Sequence, residues 1–277
     1  MSFESDFAAH YARPALEGKI VAALEAAGKD PERLSFEDLA PVDEFHVGGR
    51  QATVDLADRL GLAPGMALLD IGCGLGGASR YFAERRQCRV TAIDLAPDFV
   101  RTAEALAERV GLGGRIDYRE ASATALPFAP TSFDRVTCMH VGMNIADKPG
   151  LFAGIRRVLK PGGRLGIYDV MRTADGAIAY PVPWASIETT SFVSSPAEYR
   201  AAAEAAGFTL ISERDRRDFG LAYFRDLQAR TAAEGVSPLG LHIPMGQTAV
   251  RQMVNIFTNI QRGVVSPVEM VFGVVGA

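Results

Sequence analysis

Leu68-Leu69-Asp70-Ile71-Gly72-Cys73-Gly74-Leu75-Gly76-Gly77 runs from a short apolar stretch through close-spaced glycines toward a helical pattern, and this junction decides the fold. A buried strand that opens through glycines into a helix lets bare backbone approach a bound nucleotide-like group. Outward from it, short apolar runs alternate with helical periodicity. Ala67 to Ile71, Arg89 to Ile93, Ile116 to Arg119, Asp134 to Met139 and Leu165 to Asp169 read as strands. Gly76 to Arg86, Pro97 to Val110 and Lys148 to Leu159 read as the helices between them. Alternation at this spacing predicts βαβ units and a doubly wound, mostly parallel α/β sheet.

Upstream, Leu16, Ile20, Leu24 and Ala27 share one helical face before Gly28. Ser35-Phe36-Glu37-Asp38 reads as a capping box for a short helix ended by Pro41, and Gln51 to Leu60 as a helix stopped by Gly61. Residues 1–60 are therefore expected to form a helical cap, and 61–277 the main α/β domain of the same structural unit. Downstream, Ser195-Pro196-Ala197-Glu198 begins a helix that Gly207 ends before a strand over Phe208 to Glu213. Residues 219–262 read as a helical insertion before a last strand over Glu269 to Val275.

With 277 residues, 48% hydrophobic and 22% charged, the chain can bury a sizeable core. Its net charge of -4 is spread without a basic run, which argues against nucleic acid or an anionic membrane as partner and for a small solute. The acidic start lacks a signal-peptide pattern, and no apolar run approaches the ~18 residues of a membrane span, so a cytoplasmic location is expected. Cys73, Cys88 and Cys138 are far apart, and none of the four histidines stands at i, i+4 from another, so neither a disulfide framework nor a metal site is expected. A homodimer is compatible with the sequence.

Gly72, Gly74 and Gly77 also fit the dinucleotide pattern G-x-G-x-x-G, which leaves an NAD(P)-dependent oxidoreductase open. Asp70 weighs against it. A carboxylate two residues before the first glycine would oppose a pyrophosphate, but it would attract the ammonium of S-adenosylmethionine, which has no phosphate. The structural alternative is that Asp70 caps the turn. Asp94, ending the second strand, can accept both ribose hydroxyls under either reading.

Three segments choose between the cofactors. They are Asp70 to Gly77 with Ala92-Ile93-Asp94-Leu95, Ala125-Leu126-Pro127-Phe128 leading to Ser132-Phe133-Asp134, and Arg157 to Leu165 with its Lys160-Pro161-Gly162-Gly163 turn. In order and spacing they resemble class I S-adenosylmethionine-dependent methyltransferases, especially the ubiquinone/menaquinone-biosynthesis and sarcosine/dimethylglycine-type small-molecule enzymes. The resemblance implies a Rossmann-like sheet of seven strands with the last antiparallel. It also implies S-adenosylmethionine held by Asp70, Gly72, Cys73, Gly74, Gly76, Asp94 and Leu95. Where relatives often carry an aspartate near the adenine this chain has Ser122-Ala123, so recognition is expected from the Ser122 hydroxyl or the Ala123 backbone. Where many have a histidine in the following loop this chain has Asn144, so that residue's role does not carry over.

Methyl transfer depends mainly on alignment and exclusion of water, and a hydroxyl or acidic-carbon acceptor also needs a general base. His140, just past the fourth strand, is the first candidate to orient or deprotonate the acceptor, against a histidine merely bonded to backbone. His46, before two glycines, could bring the cap over the cofactor. Tyr11 could close over the methionyl end. Tyr180 and Trp184 stand where an acceptor pocket would be built, and two aromatic faces there would suit a methylated ammonium. That arrangement slightly favours a nitrogen acceptor. A catalytically silent cofactor-binding module is the third reading, encouraged by Ser122 and Asn144.

Overall fold

The computed structural model describes residues 15–274. Helices α1 (Leu16–Ala26), α2 (Phe36–Asp43) and α3 (Gly49–Leu60) precede β1 (Ala67–Ile71), α4 (Gly77–Arg85), β2 (Arg89–Asp94), α5 (Pro97–Arg109), β3 (Ile116–Glu120) and β4 (Phe133–Met139). Then come α6 (Lys148–Val158), β5 (Leu159–Arg172), α7 (Pro196–Ala205), β6 (Phe208–Asp215), α8 (Arg217–Glu234), α9 (His242–Met245), α10 (Ala249–Gln261) and β7 (Val265–Val274).

The seven strands form one sheet in the order β3-β2-β1-β4-β5-β7-β6. β7 runs antiparallel to both β5 and β6, and the other pairings are parallel. This is the Rossmann-like arrangement expected. The apolar runs bury both faces, as parallel strands require. Leu151, Phe152 and Ile155 of α6 and Tyr199 of α7 pack on one side. Leu56 and Leu60 of α3, Phe82 of α4 and Ala107 of α5 pack on the other.

α3 thus lies on the sheet. A Cβ at Gly166 in β5 would meet Leu60 at 2.8 Å and Leu56 at 2.9 Å, so this helix belongs to the layer that completes the α/β core. Residues 16–43 pack over the glycine-loop end, where Leu16, Ile20, Leu39 and Val42 cluster with Leu75. Among the described residues no helix is long and apolar enough to cross a membrane.

Ser195 caps α7 as expected, accepting from the Glu198 amide at 3.2 Å while Glu198 accepts from the Ser195 amide at 2.6 Å. Pro41 does not end α2, which runs on to Asp43. One proline forgoes a single backbone bond, and buried Val42 together with the Asp43 ion pair described below holds the last turn. β7 begins four residues before the expected Glu269, because Val265 to Gly273 pair in unbroken register with Arg172 to Arg164 of β5.

Candidate active site

The order of the sheet puts β1 beside β4, and connections leave these neighbours in opposite directions. Such a switch point opens a crevice beyond the carboxyl ends of the strands. A cavity of about 320 Å³ lies there, walled by the segments that follow β1, β2, β3 and β4, with α2 and residues 183–184 closing it. Its size falls within the range of small-molecule and cofactor sites.

Asp70, Gly72, Cys73, Gly74, Asp94, Leu95, Ser122, Ala123, His140, His46 and Trp184 all line this cavity. Gly76 does not. It stands behind the loop in the left-handed region (φ 81°), where a Cβ would meet the Tyr118 hydroxyl at 2.5 Å. Gly74 (φ 54°) has open space where a Cβ would be, so the loop presents bare backbone to the cavity.

The two acids hold the loop in different ways. Asp94 Oδ2 accepts from the Gly74 amide and Oδ1 from the Ala96 amide, each at 2.9 Å, and burial raises its pKa. Its carboxylate keeps spare lone pairs toward the cavity. Asp70 stands in register with Thr137 of β4, so its Oδ1 accepts the Thr137 hydroxyl at 2.7 Å while Oδ2 accepts that of Ser79 at 2.5 Å. It is 2% exposed and, among the described residues, carries no ion pair, and burial pushes its pKa up to about 6 against those two stabilising hydroxyls. A buried carboxylate bonded only to neutral groups in a cavity wall suits a cationic ligand group.

Sequence reading missed a deeper support. Arg80 of α4 is fully buried and donates to Asp43 Oδ2 at 2.7 Å, to the Leu75 carbonyl at 2.6 Å and to the Ala103 carbonyl at 3.1 Å. It thereby ties the end of α2 to the glycine loop and to α5. Replacing Arg80 with alanine strands Asp43 and both carbonyls, so a loss of about 3–5 kcal/mol is expected. Urea denaturation reads this directly; a loss under about 1 kcal/mol would show that the pair contributes little.

On the acceptor side the structure brings together His46 and His140, whose ring centroids are 5.9 Å apart. His140 adopts φ 57°, a conformation rare outside glycine though less so for histidine. Its amide donates to the Tyr168 carbonyl at 2.7 Å. The next two amides, Val141 and Gly142, donate to Asp169 at 2.8 and 3.0 Å, and Asp169 also accepts from Tyr199 at 2.9 Å. This buried network holds the strained turn in place. His140 Nε2 is buried without a hydrogen-bond partner, and burial drives the imidazole pKa well below its ordinary value.

His46 Nε2 lies 3.1 Å from the Gly49 carbonyl and 3.3 Å from Glu44 Oε2. Neither oxygen can donate, so Nε2 carries the proton and Nδ1 keeps its lone pair. Burial lowers the pKa of His46 too, although Glu44 opposes the shift. Glu44 is itself fixed by Arg50 and by the Thr53 hydroxyl at 2.7 Å.

Trp184 faces the cavity with its indole N–H on Ser191 Oγ at 2.9 Å. Tyr180 does not join it. That side chain is half-buried against the cluster around Val170 and Ile260, to which Trp184 also belongs, and it does not line the cavity, so the cavity wall does not hold the expected pair of aromatic faces. Tyr11 lies outside the described residues. Asn144 lines the cavity, 5% exposed, with its Oδ1 unpartnered. Sequence reading noted it only as a departure, although its place in the loop after β4 marked it. Asp147, the aspartate of the same loop, also lines the wall, as do Phe99 and Asp43 from positions that no local motif singles out.

Residues 69–167 match the family described as the methyltransferase domain. Over 117 residues, 42% of this chain, it is 39% identical to erythromycin 3''-O-methyltransferase of Saccharopolyspora erythraea, and over 126 residues, 46% of this chain, 34% identical to phosphoethanolamine N-methyltransferase 1 of Arabidopsis thaliana. The matches span only 38% and 25% of those relatives' own lengths. Among solved structures, Haemonchus contortus phosphoethanolamine N-methyltransferase 2 in complex with S-adenosyl-L-methionine superposes with a TM-score of 0.74 at 19% identity, covering 100% of this chain and 60% of that one.

Proposed function

We propose that this chain, which carries a methyltransferase domain of class I fold, is an S-adenosylmethionine-dependent methyltransferase that acts on a small-molecule acceptor. The observation that carries the reading is the single cavity at the switch point, where Asp70, the bare Gly72–Gly74 loop and Asp94 face the two histidines. S-adenosylmethionine would supply an electrophilic methyl on a sulfonium. Asp94 would take the ribose hydroxyls, Asp70 would attract the ammonium, Leu95 and Phe99 would flank the adenine, and Ser122 and Ala123 would meet its edge.

His140 and His46 supply the acid-base chemistry. Both imidazoles are neutral because burial disfavours the charged form, so each offers a free lone pair that can hydrogen-bond the acceptor's hydroxyl and, as a weak base, take its proton as the new bond to methyl forms. An acceptor that must lose a proton therefore suits the site. The nitrogen preference drawn from sequence rested on the family resemblance and on Tyr180 beside Trp184; with Tyr180 outside the cavity wall and two neutral imidazoles in it, we place oxygen ahead of nitrogen. The relatives do not choose, since their names include both an O- and an N-methyltransferase. We treat residues 16–43 as the cap and 217–262 as an insertion over the acceptor side of the same unit, which acts without nucleic acid or membrane.

A pH series of S-adenosylhomocysteine titrations tests this assignment. The ammonium of the ligand favours ionised Asp70, whose pKa in the free protein is about 6. Below that pH the carboxyl is protonated and affinity should fall about tenfold per unit; above it affinity should level off. Asp70→Asn should bind weakly at every pH with this dependence flattened. An unchanged pH profile in that variant would remove Asp70 from the ligand site.

A further inference from the structure

Five residues, Phe45, His46, His140, Pro183 and Trp184, wall two spaces at once. Behind them, under α8 and α10, lies a second chamber of about 30 Å³ closed by Val170, Tyr223, Phe224, Met253 and Ile256 among others. That is room for roughly one or two methyl-sized groups. Among the described residues no Lys, Arg, Asp or Glu lines this chamber, and its polar groups are the two histidines and the Tyr223 hydroxyl.

The larger cavity adds a second constraint. Its charged lining consists of Asp43, Asp70, Asp94 and Asp147, and no Lys or Arg side chain among the described residues lines it. An anion brought to the histidines would leave water for a surface that offers carboxylates and no cation. That desolvation goes uncompensated. A protonated amine would find its carboxylates on the cofactor side only, with neutral imidazoles at the junction.

We infer that the acceptor is an uncharged alcohol with an apolar body, its apolar end in the chamber of Phe224, Met253 and Ile256 and its hydroxyl facing His46 and His140. The inference rests on the methyltransferase reading and narrows it to a substrate class, excluding acceptors that carry phosphate at the reacting end.

Trp184 is the sole tryptophan of the chain and lines both spaces, so its fluorescence reports occupancy. The protein, first shown by calorimetry to bind S-adenosylhomocysteine and then saturated with it, is titrated with isobutanol, isobutyl phosphate and isobutylamine, whose two methyl groups match the chamber. The alcohol should give a saturable change with half-saturation about tenfold or more below that of either charged analogue, a difference of about 1.4 kcal/mol. Met253→Lys fills the chamber with a charged side chain and should weaken binding of isobutanol about tenfold or more while S-adenosylhomocysteine affinity stays within about threefold. Equal or tighter binding of the phosphate or the amine to the unmodified protein would overturn the inference. So would a Met253→Lys variant that still binds S-adenosylhomocysteine and binds isobutanol as tightly as the parent. Failure to bind S-adenosylhomocysteine at all would instead sink the methyltransferase reading itself.

Discussion

Replacing Asp94 with alanine should weaken S-adenosylhomocysteine binding by about a hundred- to a few-thousandfold. The side chain has two duties. It fixes the glycine loop by accepting from the Gly74 and Ala96 amides at 2.9 Å, and it is the acid placed to accept the ribose hydroxyls. Hydrogen bonds to a charged group are worth about 1.5–3 kcal/mol each, so losing two toward the ligand while the loop loosens predicts about 3–5 kcal/mol. Asp94→Asn keeps one accepting oxygen and should lose less. Calorimetric titration of both variants, with urea midpoints as a check on folding, separates these effects. Affinity within threefold of the parent in Asp94→Ala would contradict the site assignment.

Replacing His140 with asparagine should lower turnover by about a hundredfold or more while leaving S-adenosylhomocysteine affinity within tenfold. Asparagine tolerates the left-handed backbone that position 140 requires, so the substitution removes the proton acceptor without breaking the turn. The neutral imidazole, with Nε2 buried and unpartnered, is what makes the residue fit for the role. His46→Gln should produce a smaller loss if His46 acts by orienting, since Glu44 and the Gly49 carbonyl hold its Nε2 side. A turnover loss below tenfold in both variants would show that neither histidine takes the acceptor's proton.

How much of this was legible beforehand follows from the range of each interaction. Strands such as Ala67–Ile71 and Arg89–Asp94 announce themselves because burial on both faces demands unbroken apolar runs. Asp70, Asp94, Leu95, Ser122 and Ala123 could be placed together from sequence because each lies at or just beyond the carboxyl end of a strand, and the doubly wound topology gathers those ends at one rim. Asp43 with Arg80, and Asp169 with Tyr199, escaped because each pair joins residues far apart in sequence with no spacing to betray it.

Tyr180 and Trp184 stand four residues apart in one proline-rich loop, and nothing local says which of them turns inward. Both pack on the cluster around Val170, but of the two Trp184 also reaches the cavity wall, with its indole N–H on Ser191 Oγ. The helix Gly49–Leu60 reads as amphipathic from sequence, but only the glycine at position 166 facing Leu56 and Leu60 shows that its apolar side meets the sheet. The second chamber is likewise a product of tertiary assembly, since α8, α10 and the loop at Trp184 each contribute isolated apolar residues to it.

The glycine loop alone fits two cofactors, and a direct comparison of the two is the sharpest test. The purified protein is titrated by calorimetry with S-adenosylhomocysteine and, in a separate cell, with NADH. Saturable binding of S-adenosylhomocysteine with no heat from NADH is the expected result. Saturable binding of NADH with none of S-adenosylhomocysteine would contradict the assignment of Asp70 and Asp94 and make the chain a nicotinamide-binding protein.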